Sequence, residues 1–300
     1  MTQVFDQGSP PNCPTLRFAP SPNGELHIGH ALSAVTGWRW AQRLGGRFLL
    51  RIEDIDVGRA RNHFIEQIFD DLAWLGLEWE TPVRRQSEHF DTYRTQADRL
   101  AARGLLYPCF ATRKEISAAL AGRPEHPTDP DGAPLYPGLH KQLSDNDVAA
   151  RKRAGQPFAL RLDMDRAVAA AMQITGGAPI TYRALADDGA ASDVIARPER
   201  WGDAVIVRKD VPASYHLAVV TDDADQGVTH VTRGRDLEAA TDLHRLLQVL
   251  LGLPAPDYHH HRLLLDDQGA KFAKRDGAVS LRNLRDQGLN RETVLAMAGF

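Results

Sequence analysis

Apolar positions along the chain recur with two periods, and the first hundred residues alternate between them. Thr15 to Ala19 is apolar enough for a short buried strand, and Pro20, Pro22, Asn23 and Gly24 break it into a loop. From Ile28 the positions Ile28, Ala31, Leu32, Val35, Trp38 and Ala41 follow helical spacing until Gly45-Gly46 stops the helix. Arg47 to Ile52 reads as a second strand. Such a strand–loop–helix–strand unit predicts parallel strands joined by a right-handed crossover. Arg61 to Leu75 predicts a second amphipathic helix, with Phe64, Ile65, Ile68, Phe69, Leu72 and Leu75 on its apolar face. A third runs from Phe90 to Arg103 and ends at Gly104.

The pattern then changes. Arg123 to Gly138 is rich in Pro, Asp and Gly, as suits an irregular connector or small inserted subdomain. After Trp201 the alternation resumes with a strand at Ala204 to Arg208, a helix at about Ser214 to Asp225 and a strand at Val228 to Thr232. A helix from Leu237 to Leu251 and strands around Tyr258 to Leu265 complete it. The expected fold is α/β, a doubly wound parallel sheet of Rossmann-like type whose two halves are separated by the insertion. The predicted organisation is a flexible tail over 1–14 and the first half of a nucleotide-binding core over 15–107. An inserted subdomain follows over 108–200, and the second half of the core over 201–300. The chain shows no internal repeat.

Composition narrows the class without naming it. Of 300 residues, 43% are hydrophobic and 25% charged, which is ordinary for a soluble folded protein. No apolar run reaches membrane-spanning length, and Met1 to Pro14 lacks a signal-peptide core, so a cytoplasmic protein with no membrane partner is expected. Two cysteines, Cys13 and Cys109, give no disulfide framework. A net charge of −3 argues against a broadly basic coat, although Arg84-Arg85, Arg151-Lys152-Arg153 and the region from Lys271 to Arg285 could form a local basic face for nucleic acid. Nothing in the pattern calls for an obligate dimer, and a monomer is expected.

The chemistry concentrates at the two ends of the chain. His27-Ile-Gly-His30 stands where the first strand hands over to the first helix. A helix N-terminus presents unpaired N–H groups and the positive end of the dipole, so anions settle there. Gly29 lets a base or ribose approach the backbone, and His27 and His30 can donate to phosphate oxygens as charge builds at phosphorus. Neither histidine need act as a base, because an attacking carboxylate is already ionised. Lys271-Phe-Ala-Lys274-Arg275 follows the turn Asp266-Asp-Gln-Gly269, and its two lysines are point charges suited to the β- and γ-phosphates of ATP. His27, Gly29, His30, Lys271 and Lys274 are therefore the candidate ATP-binding and catalytic set, with Mg2+ expected to bridge the phosphates.

With these residues in view, the chain resembles class I aminoacyl-tRNA synthetases of the glutamyl type from about Thr15 to about Leu284. Arg17-Phe-Ala-Pro-Ser21, the HIGH tetrapeptide and Arg51-Ile-Glu-Asp-Ile-Asp56 carry the first part of the resemblance. Asp70-Asp-Leu-Ala-Trp-Leu-Gly76, Gln86-Ser-Glu88 and Tyr107-Pro-Cys-Phe110 continue it. Tyr215-His-Leu-Ala-Val-Val-Thr-Asp-Asp-Ala224 and Gly227-Val-Thr-His-Val-Thr-Arg-Gly234 extend it into the second half. The chain stops at Phe300, soon after the lysine motif, so no anticodon-binding domain is expected. In this it resembles the truncated glutamyl-queuosine tRNA(Asp) synthetase family. That resemblance implies activation of L-glutamate with ATP and esterification of queuosine in the anticodon loop of tRNA(Asp).

The resemblance also implies roles. Arg17, Phe18, Ala19, Pro20 and Ser21 would line a glutamate pocket, Glu53 would receive the ammonium group, and Tyr215 and Arg233 would complete substrate recognition. The chemistry agrees, since a carboxylate calls for an arginine fork, supplied by Arg17 or Arg233, and an ammonium calls for an acid. Two departures stand out. Ala273 replaces the serine of the family's lysine motif. Of the cysteine-rich zinc set seen in relatives, only Cys109, Tyr136 and His140 remain, with Ala111 at the second cysteine position. Four ligands are needed, so zinc is not expected unless His126 or water joins. His259-His260-His261 lies in a predicted strand, where only His259 and His261 share a face, and a structural role is expected.

Three other functions fit parts of the pattern: a minimal glutamyl-tRNA synthetase charging the 3′ end of tRNA(Glu), a HIGH-type nucleotidylyltransferase, and a catalytically silent tRNA- or nucleotide-binding paralogue. The intact histidines and lysines weigh against the silent paralogue, and Arg17, Glu53 and Arg233 weigh against the nucleotidylyltransferase. Lys274→Ala is expected to depress adenylate formation, measured by ATP–pyrophosphate exchange; full exchange in that variant would contradict the role given to Lys274.

Overall fold

The computed structural model describes residues 13–264 and 279–300, so Lys271, Ala273 and Lys274 lie outside the described residues. In chain order the strands are β1 (Thr15–Phe18), β2 (Arg47–Ile52), β3 (Glu80–Arg85), β4 (Leu106–Cys109), β5 (Ala159–Leu162), β6 (Thr181–Leu185), β7 (Ala191–Ile195), β8 (Val205–Val207), β9 (His230–Gly234) and β10 (Asp257–His261). The helices are α1 (Ile28–Arg43), α2 (Asn62–Trp74), α3 (Phe90–Ala102), α4 (Arg113–Leu120), α5 (Asp145–Arg153), α6 (Met164–Ile174), α7 (Tyr215–Asp225), α8 (Ala240–Leu251), α9 (Leu281–Asp286) and α10 (Arg291–Ala298).

Two parallel ladders form the nucleotide-binding part. β1 pairs with β2 and β2 with β3, while β9 pairs with β10 and β10 with β6, all parallel. The ladders meet where β1 and β9 begin: the Thr229 amide donates to the Thr15 carbonyl at 2.9 Å, and the Thr15 amide donates to Thr229 Oγ1 at 2.8 Å. The strands therefore step outward from β1 in one direction and from β9 in the other. That reversal is the topological switch point at which doubly wound sheets hold ligands.

Strand alternation sorts side chains to the two faces. Leu16, Leu50 and Ile52 pack with α1 and α2, and the same core takes in Leu281 and Val294 of the C-terminal helices. Leu49, Val231 and Tyr258 pack on the other face with α3, α7 and α8. Helix α1 packs tightly on the sheet at Gly37, where an added Cβ would sit 2.8 Å from Thr232 Oγ1 and 3.2 Å from the Phe48 ring.

The strand at Ala204 to Arg208, expected in the second half of the parallel sheet, is instead β8 and pairs antiparallel with β5, which pairs antiparallel with β4. Period-2 alternation reports that one face is buried but not which sheet buries it. Conversely, β6 and β7, from the stretch between the halves, extend the main sheet through the Tyr258–Ala184 pair. Residues 123–138 form no helix or ladder strand, as their composition suggests. No described helix is long and apolar enough to cross a membrane. Gly37→Val is expected to lower the unfolding free energy by about 1–3 kcal/mol through overpacking against Thr232 and Phe48; an unchanged urea midpoint would contradict that contact.

Candidate active site

A cavity of about 760 Å³ opens at the carboxyl ends of β1 and β9. It is walled by Arg17 to Ser21 after the middle of β1, by His27, Gly29 and His30 at the head of α1, by Glu53 after β2, by Tyr215 at the head of α7 and by Arg233 in β9. Every described residue of the expected ATP and glutamate sets thus borders one space. Sequence reasoning missed other parts of the wall, among them Asn23, Ser33, Asp236, His261 and Arg262. Leu264, the last described residue before the lysine motif, also lines the cavity, and Ser280 after it bridges to His27.

The two histidines build the start of α1. His27 is the N-cap, and its Nδ1 accepts from the Gly29 amide at 3.1 Å. His30 Nδ1 accepts in turn from the His27 amide at 3.1 Å, so the pair forms a reciprocal capping box with ring centroids 3.8 Å apart. Because each Nδ1 accepts, the proton of each neutral ring resides on Nε2. Each neutral ring therefore carries its N–H at Nε2 beside a helix N-terminus, a chemistry suited to phosphate. A Cβ on Gly29 would lie 3.0 Å from His27 Cε1, so the glycine leaves room for the capping ring.

Beneath the cavity Arg17 and Glu53 join a buried charge cluster whose other members the sequence reading gave no role. Arg17 Nε and Nη2 donate to the two oxygens of Asp223 at 3.0 and 3.4 Å, so this fork faces α7 rather than being wholly available to a substrate. Arg51, fully buried, donates to Asp223 Oδ1 at 2.8 Å, to Gln226 Oε1 at 3.0 Å and to Glu53 Oε1 at 3.4 Å. Asp222 accepts from Arg84 Nε at 2.7 Å, from Gln86 Nε2 at 2.7 Å and from Tyr93 Oη at 3.0 Å. The available signal was Asp222-Asp223 standing inside the apolar run from Leu217 to Ala224, since buried acids need partners.

Glu53 directly follows β2 and lines the cavity. Burial pushes its carboxyl up to about 7 against the pull of Arg51 and Arg17, and the nearby Asp223 and Asp222 add to the rise. Arg233 lies across the sheet and differs from Arg17 in its partners. Its Nη2 donates to Thr241 Oγ1 at 2.6 Å, its Nη1 to His244 Nδ1 at 3.2 Å and its Nε to His260 Nε2 at 3.4 Å. No ion pair joins Arg233 to an acid among the described residues. Tyr215 packs beside this group, its ring tilted by 60° to that of His244 with centroids 5.6 Å apart.

The His259-His260-His261 strand divides as its alternation requires. His259 donates to the Leu185 carbonyl at 3.0 Å and sits by Trp40, and His261 accepts from Ser33 Oγ at 2.8 Å, both toward α1. His260 faces Thr241 of α8 at 3.0 Å.

The donors left from the zinc set do not fit zinc. Cys109 Sγ donates to Tyr136 Oη at 3.3 Å, and that oxygen also accepts from the His140 amide at 2.9 Å. His140 Nδ1 accepts from the Ala111 amide at 3.0 Å, which puts the proton of the neutral ring on Nε2 and leaves no lone pair for a metal. Burial and Arg151 hold that imidazole below its ordinary range. Lys209 Nζ, donating to the Phe110 and Ala111 carbonyls at 2.7 and 3.0 Å, adds a cation. His126 Nε2 is bonded to the Leu135 carbonyl at 2.8 Å.

Comparison with known proteins agrees with this geometry. The model for the catalytic domain of class I tRNA synthetases (E and Q) matches residues 15–299, and the chain belongs to that family. It is 45% identical over 293 residues to the glutamyl-Q tRNA(Asp) synthetase of Rhodobacter capsulatus, covering 95% of this chain and 99% of that protein. The glutamate–tRNA ligase of Aquifex aeolicus is 35% identical, with 93% of this chain matching only 55% of that longer protein. The glutamate-tRNA synthetase structure from Elizabethkingia anophelis superposes with a TM-score of 0.76 at 25% identity, covering 96% of this chain and 61% of that one. The chain thus spans less than two thirds of that solved relative.

Protein purified without chelator is expected to carry well under one equivalent of zinc, and EDTA is expected to leave its melting temperature unchanged. A full equivalent in elemental analysis would contradict the bonding read at His140.

Proposed function

We propose that this chain is an ATP-dependent ligase that activates L-glutamate and transfers it to queuosine in the anticodon loop of tRNA(Asp). The α-carboxylate of glutamate attacks the α-phosphorus of ATP, forming glutamyl-AMP and releasing pyrophosphate. A hydroxyl of the queuosine cyclopentenediol then attacks the acyl carbon and releases AMP. The first step needs no base, so the residues contribute positioning and charge stabilisation. His27 and His30 donate to the phosphates at the head of α1, and Lys271 and Lys274, outside the described residues, hold the departing pyrophosphate together with Mg2+. Glu53 receives the ammonium group, and Arg233 with Tyr215 and the residual donors of Arg17 receives the side-chain carboxylate.

What carries this reading is that one cavity borders both a phosphate-ready helix start and two buried groups of opposite sign, Glu53 and Arg233. The choice of acceptor is supported by the match to the R. capsulatus glutamyl-Q tRNA(Asp) synthetase over 99% of that protein, against 55% of the A. aeolicus glutamate–tRNA ligase.

Glu53 has to be ionised to hold an ammonium group, and its carboxyl sits at about 7. Below that pH it is protonated and neutral, and above it the charge is present. The KM for glutamate in ATP–pyrophosphate exchange is therefore expected to fall about tenfold between pH 6 and pH 8, and Glu53→Gln to remove the dependence. A flat profile in the unsubstituted protein would sink the assignment. The acceptor is tested with radiolabelled glutamate offered to queuosine-containing tRNA(Asp), unmodified tRNA(Asp) and tRNA(Glu). Label is expected on the first alone, and label on tRNA(Glu) alone would overturn the proposal.

A further inference from the structure

The hydrogen bonds around Arg233 have a direction. A guanidinium can only donate, so His244 Nδ1, 3.2 Å from Arg233 Nη1, must be an acceptor without a proton. The proton of His244 is then on Nε2, which donates to His216 Nδ1 at 3.2 Å, and the His216 proton is in turn on Nε2. On the other side of the fork, Thr241 Oγ1 accepts from Arg233 Nη2 at 2.6 Å and passes its own proton to His260 Nε2 at 3.0 Å. Among the described residues every partner of Arg233 is a neutral group, the histidines each in one tautomer, and protonating His244 would set two donors face to face. Burial and the charge of Arg233 act in the same sense, holding His244 well below the ordinary imidazole range, His216 at about 4 and His260 at about 3. His244 and Thr241 are buried, so water does not stand in for these partners.

Arg17 shows the contrast within the same cavity. Its fork is met by the Asp223 carboxylate, and its charge is balanced inside the protein. Two arginines thus border one space, one compensated and one hydrogen-bonded, among the described residues, only to neutral acceptors.

Resting on the reading of glutamate as the substrate, we propose that His244 and Thr241 of α8 are positioning residues that satisfy the geometry of Arg233 without cancelling its charge, and so reserve that charge for the substrate carboxylate. His216 supports them by fixing the His244 tautomer. A carboxylate in either position would bond Arg233 equally well and abolish its use. Selectivity for an acidic amino acid would then depend as much on what α8 withholds as on the arginine itself.

The test compares His244→Glu with His244→Gln, whose amide oxygen can accept from Arg233 without bringing a charge. In ATP–pyrophosphate exchange, H244E is expected to raise the glutamate KM about 100-fold, the scale of losing a buried charge pair. The ATP KM and the kcat at saturating glutamate should stay within about threefold, and the melting temperature should not fall, since a carboxylate gains a partner there. H244Q should keep the glutamate KM within about threefold of the unsubstituted protein. Should H244E fail to fold, Thr241→Asp brings a carboxylate to the same fork and carries the same expectation. A normal glutamate KM in the acid variant, or equal damage from H244Q, would overturn the inference while leaving the proposed reaction standing. Absence of glutamate-dependent exchange in the unsubstituted protein would overturn both, and exchange without transfer to queuosine would remove only the proposed acceptor.

Discussion

The structure depends on one buried cluster of charges at the junction of the two ladders. Arg17 of β1 and Arg51 of β2 share Asp223 of α7, while neighbouring Asp222 takes Arg84 of β3, Gln86 and Tyr93 of α3. Residues more than 130 positions apart in the chain are thereby brought into one network. Buried ion pairs add little net stability, because desolvation offsets most of their attraction. Losing one partner is different, costing about 3–5 kcal/mol because a charge is stranded. The cluster therefore acts mainly as a register device: any packing of the second half that misplaces α7 leaves two arginines unpaired.

That register sets the electrostatics of the cavity above it. Asp223 compensates Arg17 and Arg51, while burial, with Asp223 and Asp222 nearby, raises the Glu53 carboxyl to about 7. On the far side of the junction, α8 supplies Arg233 with neutral acceptors only. One wall of the cavity is thus adjustable in charge and the other is fixed positive. The helix start of α1, capped by its own two histidines, stands beside both.

Much of this was legible from local pattern. The helix beginning at Ile28, the strand at Arg47 and the helices near Arg61 and Phe90 follow their apolar periods to within a residue or two at either end. Periodicity works there because each element buries one face against the same sheet. It fails for β3, whose sequence Glu80-Thr-Pro-Val-Arg-Arg85 carries a proline and a mostly polar run, because an edge strand buries little and needs no apolar alternation. It misassigns β8 for a different reason, since a three-residue strand records burial and not its partner.

By itself the sequence determined the elements with a strong apolar period, the phosphate-ready motif at His27 to His30, and the set of residue types suited to an acidic amino acid. These are local properties, dictated by spacing, capping and side-chain chemistry within a few residues. Only the tertiary structure decided what each charge faces. Arg17 and Arg233 look equivalent along the chain, yet one meets Asp223 at 3.0 Å and the other meets Thr241, His244 and His260. Coulomb interactions in a low-dielectric interior depend on through-space neighbours, and those come from α7 for Arg17, 206 positions away, and from α8 and β10 for Arg233. The fold, not the spacing, distributes the charge.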